Sequence, residues 1–240
     1  MPLKELADRN NLLHAKSDAQ TILRHALEDV RLGDTTLVSS FGAESVVLLH
    51  MLSEIDKSAP VIFLDTEMLF PETLEYQRDV AQKLGLTGIR TVTPDRNAVL
   101  THDVDGLLHQ ADVDACCDLR KTQPLATALE EFGSWITGRK RYQGGQRAAL
   151  PLFEKDGHRI KINPLAHWSP EQISDYIAAK NLPRHPLVAQ GYPSIGCWPC
   201  THRVGVGEDA RAGRWKDTEK TECGIHFENG KMQRTSTGAN

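Results

Sequence analysis

The stretch from Thr36 to Gly85 reads as strand, glycine turn, helix, and then the same order again, and this limits the fold more than any other feature. TLVSS (Thr36–Ser40) is short, apolar and β-branched; it breaks into FGAES, and VVLLHML then runs at helical length. VIFLD (Val61–Asp65) is a second buried strand, followed by PETLEYQRDVAQKLG with Pro71 near a helix start and Gly85 at its end. GIRTVT (Gly88–Thr93) and SWITG (Ser134–Gly138) read as two more strands, with a helix through LATALEEFG between them. A helix spans about Ala19–Leu32, and SPEQISDYIAAKN is another, with Ser169 as N-cap and Pro170 at its first position. The alternation predicts an α/β fold with a mostly parallel sheet flanked by helices. Ligands of such sheets sit at the carboxyl ends of the strands, which selects SSFGAES, LDTEMLF and TGRKRYQ as site loops.

A chain of 240 residues holds one large domain, or one with an appended segment. It can bury about 70–75% of its unfolded surface without disulfide staples. The net charge of −4 argues against a general polyanion binder, so an anionic ligand needs a local positive patch. The N-terminal stretch has no apolar h-region, and no run approaches the roughly 18 apolar residues of a membrane span. The expectation is a cytoplasmic location without membrane contact. The sequence leaves the oligomeric state open, a homo-oligomer included.

Five cysteines in an intracellular-looking chain are poor candidates for a disulfide framework, and the odd count leaves one over from any pairing or four-ligand site. Cys116 and Cys117 are adjacent, and Cys197 and Cys200 form a C-x-x-C pair. Two pairs supply four thiolates, enough for a zinc ion or an iron–sulfur cluster; free buried thiols are the third reading. Neighbours on a helix lie about 100° apart, which suits an object touching two sides of one turn and leans toward a cluster.

SSFGAES resembles a phosphate-binding turn, with small hydroxyls and a glycine where a strand meets a helix N-terminus. It is no Walker A loop, since no G-K-[ST] follows, and an ordinary strand–helix turn stays open beside the binding one. RKRYQGGQR (Arg139–Arg147) puts four cations just after a strand, either as a solvated loop or as an anion site. With Arg120, Lys121, Arg211 and Arg214 it can supply the local field an anion needs. Without aromatic interleaving, a nucleic-acid partner is not expected. Cys223, in TECGIH, lies near the C-terminus with Gly224 beside it. A nearby cation would lower its pKa from about 8.5 and make it a nucleophile. Glu222 opposes that, so the activating charge must come from the site into which the segment docks.

SSFGAES, FLDTEMLFPET, CCDLRKTQPL, TGRKRYQ…R, GCWPCT, RAGRW and ECGIH occur here in the order seen in assimilatory adenylyl-sulfate (APS) reductases. The chain resembles that family from about Ser39 to His226. The related phosphoadenylyl-sulfate (PAPS) reductases are similar elsewhere but typically lack the four paired cysteines. The resemblance implies an adenine-nucleotide alpha-hydrolase-like (PP-loop-type) α/β fold. It divides the chain into a nucleotide- and cluster-binding part, 1–210, and a mobile C-terminal segment, 211–240, carrying the nucleophile.

Carried onto this sequence, the resemblance implies that Cys116, Cys117, Cys197 and Cys200 bind a [4Fe–4S] cluster, with Lys121 between cluster and substrate. Ser39, Ser40, Phe41, Gly42, Leu64, Gly138 and Arg147 would fall in the nucleotide pocket. Arg211, Arg214 and His226 would lie near the phosphate–sulfate end, and Cys223 would attack the sulfur. No cysteine outside the cluster is left for the second step, so thioredoxin or glutaredoxin would be the reductant. PAPS reduction, or acceptance of both sulfonucleotides, is the near alternative. A zinc-stabilised nucleotide-binding module without redox activity is the distant one. One departure stands out: Glu67 follows Asp65-Thr66 where the family commonly has glycine.

Overall fold

Strand β1 (Thr35–Ser39) has a parallel neighbour on each side, β2 (Val61–Leu64) and β4 (Ser134–Ile136). In this computed structural model, which describes residues 1–144, 147–216 and Lys220, the chain forms one six-stranded sheet. Its order is β3-β2-β1-β4-β6-β5, with β3 at Ile89–Val92, β5 at Phe153–Asp156 and β6 at Arg159–Ile162. All pairings are parallel except β5 with β6. The expected α/β architecture is therefore the observed one, with the order reversing beside β1.

Nine helices accompany the sheet among the described residues. They are α1 (Leu3–Leu13), α2 (Ala19–Glu28), α3 (Ser45–Ser53), α4 (Pro71–Leu84), α5 (Arg96–His102), α6 (Leu108–Ala111), α7 (Val113–Cys117), α8 (Gln123–Ala128) and α9 (Pro170–Ala179). Alternate strand residues serve opposite layers. Leu37, Val61, Phe63, Ile136 and Ile160 join the large core under α1–α4 and α9. Ile62 and Trp135 meet Leu125 and Leu129, in and just after α8, on the other face.

Local signals set the helix ends. Gly85 closes α4 at φ 67°, and Ser169 with Gln172 forms a capping box at α9. The amphipathic helix expected over 19–32 stops at Glu28, because Asp29 accepts hydrogen bonds from Arg31 N (3.1 Å) and Nε (2.8 Å) and starts a separate 3₁₀ turn. Helix α1 and the β5–β6 hairpin are additions to the sequence reading. The hairpin has a local signal, Asp156-Gly157 with Gly157 at φ 61°; α1 has little, since Leu12 and Leu13 are exposed.

Candidate functional site

The carboxyl ends of β1, β2 and β4 open onto a cavity of about 280 Å³, at the reversal point where such sheets bind ligands. Ser39, Ser40 and Gly42 line it from the first loop, Leu64 and Thr66 from the second, Gly138 and Arg147 from the third. Lys121, Arg211 and Arg214 complete its wall from outside the sheet. In the first loop Phe41 N donates to Ser39 Oγ (3.2 Å) and Gly42 N to Ser40 Oγ (3.4 Å), so the hydroxyls shape the turn. Among the residues of this turn, Phe41 is the one whose side chain does not line the cavity. Its ring is fully buried, edge-on to Phe63 at 5.2 Å, and contributes nothing to the cavity wall. Its backbone, at φ 47°, makes the turn instead. Cys223 and His226 lie outside the described residues.

Among the described residues, six cationic side chains and two carboxylates line this cavity, a local excess of positive charge on a chain whose net charge is −4. Several of these cations are already committed. Lys140 Nζ donates to Glu44 at 2.5 Å, and Tyr142 OH donates to the same carboxylate at 2.6 Å. Burial holds the Lys140 pKa below the usual amine value, with Glu44 opposing the shift; burial, then Glu44, pushes Tyr142 up. Arg139 is paired to Glu154 and also donates to Asn163 Oδ1 at 3.1 Å. The sequence places these groups far apart, and neither Glu44 nor Glu154 signals its role there.

A second, much smaller cavity lies beside the first. Cys116, Cys117, Cys197 and Cys200 all line it, with Arg120 and Lys121, and among the described residues no carboxylate stands on its wall. Helix α7 carries the first pair, capped by Asp112, and a π-turn at Asp118–Thr122 follows at once. Such turns are rare and concentrate at functional sites. The second pair is tied to the β2 loop: Leu69 bridges Cys197, Trp198 N donates to Met68 O (2.8 Å), and Thr66 Oγ1 lies 3.2 Å from Cys197 Sγ. Burial, then Cys197, raises the Cys116 thiol to about 11, with Arg120 opposing. Among the described residues no group of three or more His, Cys, Asp or Glu is drawn together as ligands of a single metal ion. Four sulfurs around one cavity could hold a zinc ion or an iron–sulfur centre, with Lys121 on the same wall. Lys121 lines both cavities.

Residues 34–203 match the model of the phosphoadenosine phosphosulfate reductase domain. The chain belongs to that family. It is 52% identical to the adenosine 5'-phosphosulfate reductase of Mesorhizobium japonicum over 206 residues, covering 86% of this chain and 81% of that protein. The protein of the same name from Streptomyces coelicolor is 40% identical, with 93% and 94% covered. The phosphoadenosine 5'-phosphosulfate reductase of Gloeobacter violaceus is 37% identical, with 91% and 95% covered. Among solved structures, the phosphate complex of Candida auris PAPS reductase superposes with a TM-score of 0.71 at 29% identity, covering 84% of this chain and 98% of that one. FMN adenylyltransferase of Candida glabrata shares the fold at TM-score 0.55 and 17% identity, covering 84% of this chain and 76% of that one.

The Glu67 turn, where the resemblance leads one to expect glycine, has a backbone that suits glycine. Glu67 stands at φ 58°, the left-handed region that glycine enters without strain. Here a carboxylate occupies that turn and reaches Arg120 at 3.5 Å. Arg120 is itself only 5% exposed, and its Nε donates to Asp103 Oδ2 at 2.8 Å and its Nη1 to Thr66 O at 3.0 Å. Of the adjacent pair expected to serve an anion, Lys121 faces the large cavity, while Arg120 braces the cysteine site. Residues 211–216 pack onto that same site: His202 N donates to Gly213 O (2.8 Å) and Trp215 N to Cys200 O (3.2 Å).

Proposed function

We propose that this chain is an adenylyl-sulfate reductase, an oxidoreductase of sulfate assimilation that converts adenylyl sulfate to sulfite and AMP. One observation carries the reading. A cationic crevice at the reversal point of an α/β sheet adjoins a cavity walled by four cysteines, with Lys121 on both. The names and high coverage of the relatives support the same reading.

The nucleotide would lie over the Ser39–Gly42 turn and Gly138, with its phosphate–sulfate end toward Lys121, Arg147, Arg211 and Arg214. The thiolate of Cys223 attacks the sulfate sulfur, an S–S bond forms, and the bond from sulfur to the phosphate-bound oxygen breaks, releasing AMP. An anion attacking an anion needs charge compensation in a water-poor site, which those cations provide. A thiolate of a dithiol partner, thioredoxin or glutaredoxin, then attacks Cys223 Sγ and expels sulfite. The partner's second thiol resolves the mixed disulfide, so the partner supplies both electrons. Cys116, Cys117, Cys197 and Cys200 would hold a [4Fe–4S] cluster. When bound, the cluster supplies a fixed charge centre and a cross-link between α7 and the Cys197 loop. A reductant of this kind fits a cytoplasmic location.

The deciding experiment supplies anaerobically purified protein with adenylyl sulfate and thioredoxin and measures sulfite. Release is expected; no release with either sulfonucleotide overturns the enzyme reading. If phosphoadenylyl sulfate outcompetes adenylyl sulfate, the substrate assignment is wrong. About four iron and four sulfide per chain are expected, and one zinc with no iron would remove the cluster. Cys223→Ser protein that still forms a protein-bound S-sulfonate would displace Cys223 as nucleophile.

A further inference from the structure

We infer that Gly196 and Trp215 are positioning residues: together they clamp the Arg214 guanidinium at the anion cavity. The inference rests on the function proposed above and names what holds the cation that meets the phosphate–sulfate end. Arg214 lines the cavity, and its Nε is enclosed without an acceptor. Unlike Arg139 and Lys140, it has no carboxylate partner among the described residues.

Two surfaces replace the missing acid. The first is the indole of Trp215, 4% exposed, whose ring centroid lies 4.5 Å from Arg214 Cζ. A half-buried guanidinium near an aromatic ring gains from the ring quadrupole while its N–H groups stay available to an anion. Arg211 Cζ is 5.8 Å from the same ring, so one indole serves both arginines. The second surface is Gly196. A Cβ at that position would lie 2.3 Å from Arg214 Nη2 and 2.6 Å from Cζ, so the guanidinium occupies the room a side chain would need.

The clamp is built on the cysteine loop. Gly196 N donates to Thr201 Oγ1 (3.2 Å), Thr201 bridges Arg214, and Trp215 N donates to Cys200 O (3.2 Å). Trp215 adopts φ 51°, a conformation costly for any residue but glycine. Strain held at a site edge marks a placement that the surrounding structure imposes.

The test uses the anaerobically purified holoprotein and two ligands, adenylyl sulfate and adenosine, titrated by calorimetry. Because the atoms displaced in Gly196→Ala are the far end of a flexible side chain, that variant folds, and the cation moves instead of the backbone. Gly196→Ala and Trp215→Leu should each weaken adenylyl sulfate about 5- to 30-fold, the size of one partly buried to desolvated cation–π contact. Adenosine, which lacks the anion, should bind within about twofold of wild type, and Trp215→Phe should recover most of the loss. In an Arg214→Ala background neither variant should cost more than about threefold further, since the clamped group is gone. Iron per chain should stay at the wild-type value.

Full additivity in the Arg214→Ala background overturns the inference. So does an equal loss for both ligands, or a loss that tracks falling iron content. If the wild type binds adenylyl sulfate but releases no sulfite, the proposed reaction fails, while the clamp still stands or falls on the binding cycle.

Discussion

Asp103→Ala is expected to cost about 3–5 kcal/mol of stability, the usual price of stranding a buried charge by removing its partner. The Asp103 side chain is fully enclosed and Arg120 is nearly so, with Nη2 2.8 Å from Asp103 Oδ2. At an effective dielectric of about 20, two unit charges at that distance attract by about 6 kcal/mol, and desolvation of both offsets most of this. Removing Asp103 forfeits the attraction and keeps the desolvation of Arg120. It also orphans Leu108 N, which donates to Asp103 Oδ1 at 2.8 Å. Glu67, about half exposed at 3.5 Å, is too solvated to substitute.

For a chain of this length the loss corresponds to a fall in Tm of roughly 6–20 °C. Urea unfolding of anaerobic protein measures it, with iron content read alongside. Iron should fall as well, because Arg120 holds Thr66 O and the Thr66 hydroxyl contacts Cys197 Sγ. In the double variant Asp103→Ala, Arg120→Met the stranded charge is gone, so at least about 1.5 kcal/mol should return. A single-variant loss under about 1 kcal/mol refutes the reasoning, as does a double variant whose loss is the sum of the two singles.

Three further outcomes follow from single residues. Lys121→Ala, on the wall shared by both cavities, should lower kcat/KM for adenylyl sulfate about 10²- to 10³-fold while Tm moves little; steady-state sulfite release checks it. Burial lowers the His185 pKa to about 4, and its Nδ1 accepts from Leu187 N while Nε2 faces Thr73 Oγ1. The unfolded value is about 6.5, so this stability is present above that pH and lost as pH falls toward 4, by roughly 2–3 kcal/mol. Urea midpoints across that window should flatten in His185→Gln. They should not become level, since burial lowers His14, His25, His50 and His167 too. Glu67→Gly should leave stability level or raise it by up to about 1 kcal/mol, as relief at φ 58° outweighs a half-exposed ion pair; a clear drop in Tm would show that the pair to Arg120 matters more.

The parallel sheet and its site loops were legible because each depends on short-range pattern. An apolar β-branched run followed by a glycine turn fixes a strand end, and strand ends fix where a crevice opens. The direction of the Phe41 ring was not legible. Proximity in sequence to Ser40 and Gly42 says nothing about which side of the turn a ring faces, and here it packs on Phe63 in the core. The pairings of Glu44 with Lys140, Glu154 with Arg139 and Asp103 with Arg120 join distant segments, and no local pattern announces them.

Those pairings change how the cations of the sequence add up. Read along the chain, Arg120, Lys121, the Arg139–Arg147 run, Arg211 and Arg214 form one basic field. In the fold, Arg120, Arg139 and Lys140 each face a carboxylate that offsets their charge locally. Arg214 has an aromatic face where they have an acid, so an arriving anion meets it without displacing a partner. Arg214 also begins the segment in which Cys223 follows nine residues later, anchored through Trp215 to the backbone of Cys200. In the proposed function, seating the anionic end of a sulfonucleotide on Arg214 would therefore bear on the cysteine loop and on the start of the segment that carries Cys223 at once. Substrate charge, the cysteine loop and the start of the segment that carries Cys223 would, in the proposed function, meet at that one side chain.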